Sequence, residues 1–478
     1  MIIIDLQFTP DLSKIFNKLS QYQWSIWLDS GKKNNQQYDI ISAWPYKTIL
    51  STLSYTIIQE LLYDSTGNIL NKTFQRFSNS LKNPFEILKD LLPNNNAKNL
   101  FGDNIPFWHG AMGYFGYDLN QLIGSKSTIN SLTTSSIPVM AIGLYSWALI
   151  TDYHKQKTYL TYDEDCNNEE IIKNIISNIL NYQTSNQEAS NKKILNYFKN
   201  LKTNFFKQEN PFHVYQNNFL KIQKHITDGD CYQINYSMRF SGYFKKNELG
   251  DYSAWDFYQY LRDLNANPFS CYFNITKDLQ ILSYSPERFL KVNNKLVTTH
   301  PIKGTRKNTI HDPLLNQKAI EDLLTNPKDR AENIMITDLM RNDLNKHCVP
   351  GSVKTPEVCQ LHTFPTVHHL ISTIQGQLKD ELSSLDLLQG CFPGGSITGA
   401  PKIKAMEIIH QLENQNRYIY CGSIGYININ GNLDTNIAIR TILKYGQTYY
   451  YWAGSGIVAD SLVEEEYTEI FNKLIKVQ

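Results

Sequence analysis

The segment Pro301-Ile302-Lys303-Gly304-Thr305 is the most informative part of this sequence. It places the primary amine of Lys303 between a strand-like segment, residues 295–300, and a Gly-Thr turn. The carboxylate Glu287 lies shortly upstream in the same region of the chain. A neutral lysine is a covalent nucleophile, and a neighbouring carboxyl group can serve as its acid or base partner. The two residues therefore predict acid-assisted covalent chemistry, provided that the fold brings them together.

A predicted β-hairpin brings Glu287 towards Lys303. Asn293-Asn294 is typical of a two-residue turn between the strand-like segments 288–292 and 295–300. In that register Glu287 lies opposite His300 at the open end of the hairpin, and Lys303 follows a few residues later. We therefore expect the acid and the amine to lie within about 10 Å of each other along the chain direction.

Two predicted helices carry acids at positions i and i+3. The dipeptide Asn326-Pro327 fits the N-cap and first position of one helix, with Asp329 and Glu332 on one face. Glu466 and Glu469 share a face of the last helix. Acids in a first helical turn often only complement the helix dipole. Alternatively, the two pairs converge on a hard cation with oxygen ligands, such as Mg²⁺.

Arg440 is predicted on a long strand between the turns Asn430-Gly431 and Tyr445-Gly446. That register sets it opposite Cys421 on one side and Tyr451 on the other, close to a predicted turn at 454–456. A guanidinium beside a glycine turn with free N–H groups can bind a carboxylate. An arginine on a solvated strand is equally compatible with the pattern.

Composition excludes several classes of function. The 478 residues exceed what one compact core usually holds. Lys and Arg total 46 against 45 Asp and Glu, so the net charge of +1 offers no field that would attract nucleic acid or a membrane. Seven cysteines without a CxxC pair suit a reduced, cytoplasmic protein better than a disulfide or zinc framework. No apolar stretch is long enough to cross a bilayer, and Asp5 interrupts the apolar start. We expect a soluble protein.

The character of the sequence changes twice along the chain. Residues 1–165 read as short strands with turns, and residues 166–209 are polar and read as a connecting segment. From residue 210 to 478, glycine-punctuated strands alternate with amphipathic helices, and the candidate chemistry lies there. We therefore predict an N-terminal region, a connection and a catalytic region.

Taken together, the motifs of this chain resemble those of the chorismate-utilising enzymes. The resemblance is nearly continuous from about residue 215, and GAMGYFGYD (110–118) is the best match before that. The motifs that carry it are PIKGT (301–305), DRAEN (329–333), DLMRND (338–343), VHHL (367–370), FPGGSITGAPK (392–402) and GSGIVAD (454–460). The resemblance implies an α+β fold, a large two-lobed sandwich of mostly antiparallel β-sheets flanked by helices.

The same resemblance implies the substrate and the roles of the site residues. Chorismate carries two carboxylates, a C4 hydroxyl and a conjugated diene. By resemblance, Glu332 and Glu469 hold Mg²⁺ directly, while Asp329 and Glu466 bind its waters. Glu287 is then the general acid for the C4 hydroxyl. The nucleophile is Lys303, and the substrate-binding set comprises Gly304, Thr305, Tyr420, Arg440, Gly454, Ser455, Gly456, Lys473, His369, Ser396 and Gln233.

Four residues bear on the branch of the family. Relatives that make anthranilate typically have alanine where this chain has Lys303, so the lysine favours the branch that makes 4-amino-4-deoxychorismate. Anthranilate formation is the alternative. Relatives that activate water use a lysine where this chain has Gln233, and an amide is no base. His369 matches a position associated with pyruvate elimination, as does Ser396, and a packing role is an equal alternative for both.

A partner and an effector pocket complete the expectations. No cysteine lies in a Gly-x-Cys-x-Gly elbow, so the resemblance implies a separate glutaminase subunit that supplies ammonia for 4-aminobenzoate and folate synthesis. In the N-terminal region, Leu28, Ser30 and Tyr38 match the framework of a tryptophan pocket in relatives. Gln37 replaces the basic residue often found there, and a plain sheet edge is the alternative.

Overall fold

The computed structural model describes residues 1–6, 11–31, 38–64, 66–79, 81–92, 105–123, 136–163, 198, 205–244, 253–265, 267–364 and 367–475. These residues form two large antiparallel sheets flanked by helices, so the predicted α+β fold is confirmed. Most of the predicted connecting segment, 166–209, lies outside the described residues.

The first sheet has twelve described strands, numbered in chain order, and every strand runs antiparallel to its neighbours. One of them, β20 (Gly399–Ala400), pairs with β12 (Gln233–Tyr243) beside the main path. The spatial order of the others is β1 (Ile2–Asp5), β10 (Lys157–Tyr162), β9 (Trp147–Asp152), β3 (Tyr38–Ser42), β2 (Ser25–Asp29), β13 (Phe269–Thr276), β14 (Leu279–Ser285), β23 (Thr441–Tyr445), β24 (Thr448–Ile457), β12 (Gln233–Tyr243) and β11 (Lys207–Gln208).

The second sheet also has twelve described strands in antiparallel order. One of them, β18 (Lys354–Thr363), pairs with β19 (Val367–Gln377) beside the main path. The spatial order of the others is β17 (Ile302–Lys307), β19 (Val367–Gln377), β16 (Leu296–Thr299), β15 (Arg288–Asn293), β22 (Leu433–Asn436), β21 (Ser423–Asn428), β7 (Gly110–Phe115), β8 (Met140–Tyr145), β4 (Lys47–Ser51), β5 (Tyr55–Tyr63) and β6 (Ile69–Ser78).

Helices flank the sheets and supply two walls of the site described below. The described α-helices are α1 (Leu12–Leu19), α2 (Pro84–Leu91), α3 (Phe212–Thr227), α4 (Ala254–Asn265), α5 (Pro313–Thr325), α6 (Pro327–His347), α7 (Ser384–Cys391), α8 (Lys402–Leu412) and α9 (Val463–Asn472). Short 3₁₀ turns cover Tyr117–Leu122 and Gly395–Ile397.

Both sheets combine strands from the two ends of the chain. In the first sheet β2 pairs with β13, and in the second β7 pairs with β21. A single cluster of buried apolar side chains extends through residues of both regions, including Trp27 and Trp255 with ring centroids 5.7 Å apart. The sheets of the described residues therefore do not divide the structure at residue 165. The division of the chain into regions 1–165, 166–209 and 210–478 stays a prediction.

The predicted hairpin exists, but its turn is displaced by one residue. Asn293 pairs with Leu296, so the two turn residues are Asn294 and Lys295. Both have positive φ, 49° and 66°, which is the conformation of a type I′ turn. Asparagine tolerates that conformation and lysine rarely adopts it, so the sequence pattern placed the turn on the two asparagines.

The sequence predicted a chain without a membrane-spanning segment and with reduced cysteines. Among the described helices, none combines the length and the apolar character that a membrane crossing requires. The six described cysteines are buried and form no disulfide. Cys166 lies outside the described residues.

Candidate active site

A cleft of about 570 Å³ lies between the edge strand β17, the N-terminal turn of α6, helix α9 and strand β24. Its volume falls within the roughly 300–1,000 Å³ typical of small-molecule sites. Most of the predicted site residues line it: Glu287, Lys303, Gly304, Thr305, Asp329, Glu332, His369, Ser396, Tyr420, Arg440, Gly454, Gly456, Glu466, Glu469 and Lys473. Residues far apart in sequence thus share one cavity.

Two predicted site residues, Gln233 and Ser455, do not line the cleft. Gln233 is buried beside Gly456, where a Cβ would overlap its amide nitrogen. Ser455 lies in β24 between two cleft glycines, so strand alternation turns its side chain to the opposite face. The turn predicted at 454–456 is therefore wrong, because these residues continue β24 and pair with β12.

A β-bulge in β17 shapes the wall that carries Lys303. Lys303 pairs with Leu370, Thr305 pairs with His369, and the register shifts at Gly304 between them. Gly304 has φ +79°, and a Cβ there would lie 3.2 Å from the side chain of Asp329. Glycine thus allows the strand to approach helix α6 closely. The Lys303 side chain is half-buried and makes no hydrogen bond or ion pair within the described residues.

Glu287 is a buried carboxyl group beside that amine. It is 4% exposed, and its Oε1 has no hydrogen-bond partner among the described residues. Burial raises its pKa to about 7, while the adjacent Ser396 hydroxyl and Lys303 ammonium partly oppose that shift. A carboxyl group with such a pKa is protonated part of the time at neutral pH and can donate a proton.

The first acidic pair begins helix α6 as predicted. Asn326 is the N-cap, and its side chain accepts a hydrogen bond of 3.0 Å from the backbone N–H of Asp329. The Asp329 carboxylate also accepts a hydrogen bond of 2.9 Å from Arg306. Burial raises the pKa of Glu332, one turn further along, although Lys303 acts to lower it.

The second acidic pair lies on helix α9. Glu466 is 2% exposed, and its Oε1 accepts hydrogen bonds from the Ser461 hydroxyl at 2.6 Å and the Lys328 ammonium at 3.3 Å. Its Oε2 has no partner among the described residues. Burial acts to raise the pKa of Glu469, but the ion pair of 2.6 Å with Lys473 leaves that pKa below its ordinary value.

The four acids supply the donor type that Mg²⁺ prefers, namely carboxylate oxygens with room for water. The partnerless Oε2 of Glu466 is a buried acceptor that a hydrated cation would satisfy. Within the described part of the chain, no three His, Cys, Asp or Glu side chains are already arranged to hold a metal ion. The donor set therefore fits the cation chemically, and the predicted metal site stays a prediction.

The cleft also contains the cationic side chain of Arg440. Arg440 lines the cleft and forms no ion pair within the described residues. Its φ of +50° interrupts the predicted long strand between β22 and β23, so the predicted pairing with Cys421 and Tyr451 is wrong. Burial and the nearby Arg440 charge lower the pKa of His369 to about 4. His369 is thus neutral near pH 7, and its Nδ1 lies 2.9 Å from the Thr305 hydroxyl.

Stacked aromatic side chains form another part of the cleft wall. The Tyr420 ring stacks on Trp452 with an interplanar angle of 8° and a centroid distance of 6.3 Å. A Cβ on Gly454 would lie 2.9 Å from the Tyr420 hydroxyl, so glycine is required for this close approach. The Lys473 ammonium donates to the Gly454 carbonyl at 3.0 Å and ties α9 to β24.

Sequence reasoning missed three cations that shape the cleft. Arg306 and Lys328 line it, and Arg417 lies buried behind it. A lysine in the first turn of a helix is disfavoured by the helix dipole, which is a signal that could have singled out Lys328. The ion pair of Arg417 with Glu413 spans i and i+4 within a loop-like segment, and no sequence pattern indicated its burial.

A second cavity of about 210 Å³ lies between the two sheets and includes Leu28, Ser30 and Tyr38 in its lining. The Ser30 N–H donates to Asp39 at 2.7 Å, which fixes this wall. A cavity rather than a plain sheet edge therefore exists at the predicted effector pocket. Its ligand stays a prediction.

The chain belongs to the chorismate binding enzyme family, whose characteristic sequence matches residues 48–478, and is therefore an enzyme that acts on chorismate. Aminodeoxychorismate synthase component 1 of Escherichia coli (strain K12) is 35% identical over 478 residues, covering 99% of this chain and 97% of that protein. The Salmonella typhimurium protein of the same name is 37% identical with the same coverage. The crystal structure of anthranilate synthase component I from Streptococcus pneumoniae TIGR4 superposes with a TM-score of 0.73 at 27% identity, covering 93% of this chain and 92% of that one.

Proposed function

We propose that this protein is an aminodeoxychorismate synthase component 1, which converts chorismate and ammonia to 4-amino-4-deoxychorismate. The observation that carries the proposal is the cleft that joins the unpaired Lys303 amine to the buried carboxyl group of Glu287. Relatives with this function cover nearly the whole chain at 35–37% identity. The product is a precursor for 4-aminobenzoate and folate synthesis.

The proposed chemistry proceeds by two displacements. The neutral Lys303 amine attacks C2 of the ring, both double bonds of the conjugated diene shift, and the C4 hydroxyl leaves as water with a proton from Glu287. Ammonia then adds at C4, both double bonds shift back, and the lysine amine leaves C2. The partly protonated state of Glu287 near pH 7 supports its role as the acid in the first displacement.

Charged residues that line the cleft support the binding mode. Glu332 and Glu469 would hold Mg²⁺, with Asp329 and Glu466 next to its waters, and the ion would bind the ring carboxylate and withdraw electrons from the diene. Arg440 would bind the other carboxylate, since it lies in the cleft without an acidic partner in the described part of the chain.

The remaining substrate contacts follow from the lining of the cleft. Tyr420, Thr305 and Lys473, together with the backbone of residues 454–456, would orient the ring and the enolpyruvyl group. His369 is neutral and bonded to Thr305, so we propose that it positions this hydroxyl. Ser396 is adjacent to Glu287 and would orient the acid.

Ammonia is proposed to come from a separate glutaminase subunit. Free ammonia is mostly protonated at neutral pH and is then no nucleophile, so delivery by a partner suits the chemistry. The relatives' designation as component 1 supports a second component. A cytoplasmic location suits such an enzyme and agrees with the free state of the six described cysteines.

We also propose that the 210 Å³ cavity binds a small effector or structural ligand. Leu28 and Tyr38 supply apolar surface, and the buried Asp29, which is ion-paired with Arg262, lines the cavity beside Ser30. This mix suits an amino acid such as tryptophan, which needs an apolar slot and a partner for its ammonium group.

A product assay tests the proposal against anthranilate synthesis, the second candidate. The full-length chain is incubated with chorismate, Mg²⁺ and ammonium at high pH, with and without an aminodeoxychorismate lyase. We expect 4-aminobenzoate only when the lyase is present. Fluorescent anthranilate formed directly by the chain would overturn the assignment. Relatives named anthranilate synthase component 1, such as the Lactococcus lactis protein at 34% identity, make this comparison necessary.

A further inference from the structure

Lys328 occupies an unusual position for a cation. It is the second residue of α6, in the first turn, where the helix dipole disfavours positive charge. Its ammonium lies 3.3 Å from Oε1 of Glu466, on the other acid-bearing helix. The lysine side chain is 47% exposed, whereas that of Glu466 is only 3% exposed. A charge placed against the dipole is held there by the buried carboxylate that it contacts.

Two other cations that contact the acidic cluster, Arg306 and Lys473, are anchored more firmly. Arg306 bonds to Asp329, to Asp322 and to the Thr305 carbonyl. Lys473 bonds to both Glu469 and the Gly454 carbonyl. Among the described residues, the Lys328 ammonium has Glu466 as its one hydrogen-bonding partner. Of the three cations that are ion-paired with the cluster, Lys328 can therefore leave its acid by rotation of one side chain, with the loss of one hydrogen-bonded ion pair.

Glu466 offers little room for a second donor on the same oxygen. Its Oε1 already accepts from the Ser461 hydroxyl at 2.6 Å and from Lys328. Its Oε2 is buried and has no partner among the described residues. A hydrated divalent cation beside this carboxylate would face the ammonium across a few ångströms, and like charges repel strongly at such distances where water is largely excluded.

We propose that Lys328 is a displaceable ammonium that competes with the divalent cation for Glu466 and thereby weakens metal binding to the free enzyme. The proposal rests on the metal role of the acidic cluster given under Proposed function and adds a regulatory element to it. When the cation enters, the lysine side chain swings towards solvent, since its exposed half already borders water. The affinity of the cleft for the metal ion then depends on how much more favourably Glu466 interacts with the metal ion than with the Lys328 ammonium.

The test measures metal binding in the absence of chorismate. The full-length Lys328→Gln variant keeps most of the side-chain length and removes the charge. Mn²⁺ is titrated into it and into the unaltered protein, and free Mn²⁺ is followed by its electron paramagnetic resonance signal. We expect the Mn²⁺ dissociation constant to fall roughly tenfold in Lys328→Gln, as expected for loss of a half-exposed charged contact to a buried acid. Lys328→Arg keeps the charge and should bind Mn²⁺ about as the unaltered protein does.

Lys346 provides a matched control on the same helix. Its ammonium lies 3.4 Å from the buried Asp343, and its side chain is 58% exposed, so it closely resembles Lys328 in exposure and pairing. Lys346→Gln removes the same charge from α6 far from the cleft and should leave the Mn²⁺ dissociation constant unchanged. An equal gain in affinity in Lys346→Gln would show a net-charge effect and would overturn the proposal.

Two further results separate this inference from the proposed function. An unchanged Mn²⁺ dissociation constant in Lys328→Gln, with turnover still dependent on Mg²⁺, overturns the competition and leaves the metal role intact. Turnover independent of divalent cations overturns the metal role itself. Tight Mn²⁺ binding that appears only in Lys328→Gln supports competition between the lysine and the metal ion. Absence of Mn²⁺ binding in every variant overturns that competition.

Discussion

The Lys303 ammonium and the Glu287 carboxyl group face the same cleft, and the charge of the lysine partly opposes the effect of burial on the acid. Lys303 lies on β17 of the second sheet, and Glu287 immediately precedes β15 of the same sheet. Pairing with β19 holds β17 in place. Sheet pairing thus positions the proposed nucleophile and the proposed acid, and each can be tested by its own variant.

Lys303→Ala should lower the rate of amination by at least about a hundredfold, because it removes the nucleophile of the first displacement. The measurement is the rate of 4-aminobenzoate formation with excess lyase, chorismate and ammonium. Lys307→Ala is a suitable control, since Lys307 lies on the same strand, is exposed and does not line the cleft. A full amination rate in Lys303→Ala would contradict the covalent role.

Glu287→Gln should reduce the rate by about 10² to 10⁴, the usual contribution of a general acid. Because the working form is the protonated one and its pKa is about 7, the rate attributable to Glu287 should fall as the pH rises through 7. The measurement is the pH profile of kcat from pH 6 to 9. A profile of the same shape in Glu287→Gln would assign the titration to another group.

The same carboxyl group should make stability depend on pH. Its folded-state pKa of about 7 lies above the ordinary value of 4.5, so the stability linked to the neutral form is complete below pH 4.5. That stability is lost as the pH rises through about 7, and the loss amounts to roughly 1–3 kcal/mol. Urea unfolding between pH 5 and pH 8 should show this slope in the unaltered protein and a smaller slope in Glu287→Gln. Identical slopes would remove Glu287 as its source.

Glu332→Gln and Glu469→Gln should each abolish Mg²⁺-dependent turnover, since each removes a proposed ligand charge from the cleft. The measurement is the rate as a function of Mg²⁺ concentration. Glu465→Gln is the matched control, because Glu465 lies on the same helix as Glu469, is exposed and does not line the cleft. Unchanged Mg²⁺ dependence in either ligand variant would exclude that residue from the metal site.

Local sequence patterns predicted much of the site, but they did not predict which distant segments pair with each other. The N-cap at Asn326 and the shared face of Glu466 and Glu469 follow from helix geometry alone, and both are confirmed. The displaced turn at Asn294 and the break at Arg440 depend on positive φ angles in residues that rarely adopt them. The motifs of the family supplied the roles of the cleft residues, and those roles stay predictions.

The contacts of the cations beside the acids could not be predicted, because their partners come from distant parts of the chain. Lys328 meets Glu466 across two helices, and Arg306 meets Asp329 only because the bulge at Gly304 brings strand and helix together. The pairing of β2 with β13 likewise joins residues that no local pattern connects. Sequence periodicity identifies faces of helices and strands, and tertiary structure alone decides which faces meet.

Arg417 and Glu413 form a buried ion pair at 2.6 Å that supports the cleft from behind. Arg417 also donates to the backbone carbonyls of Asn235, at 2.6 Å, and Ile397, at 3.2 Å, and both of these residues line the cleft. Its guanidinium carbon lies 5.6 Å from the centre of the Tyr420 ring. The pair therefore holds three parts of the cleft wall in one arrangement.

Arg417→Met should lower the free energy of unfolding by about 3–5 kcal/mol, because it leaves Glu413 charged and unpaired in the interior. Adding Glu413→Gln removes that charge while keeping an acceptor for the Ser237 N–H, so the double variant should regain about 1–2 kcal/mol. Urea unfolding measures both changes, and the KM for chorismate should rise in either variant because the walls shift. Arg341→Met breaks only an exposed ion pair with Asp338 and should stay within about 0.5 kcal/mol of the unaltered protein. If Arg417→Met were no less stable than Arg341→Met, the pair would not support the cleft.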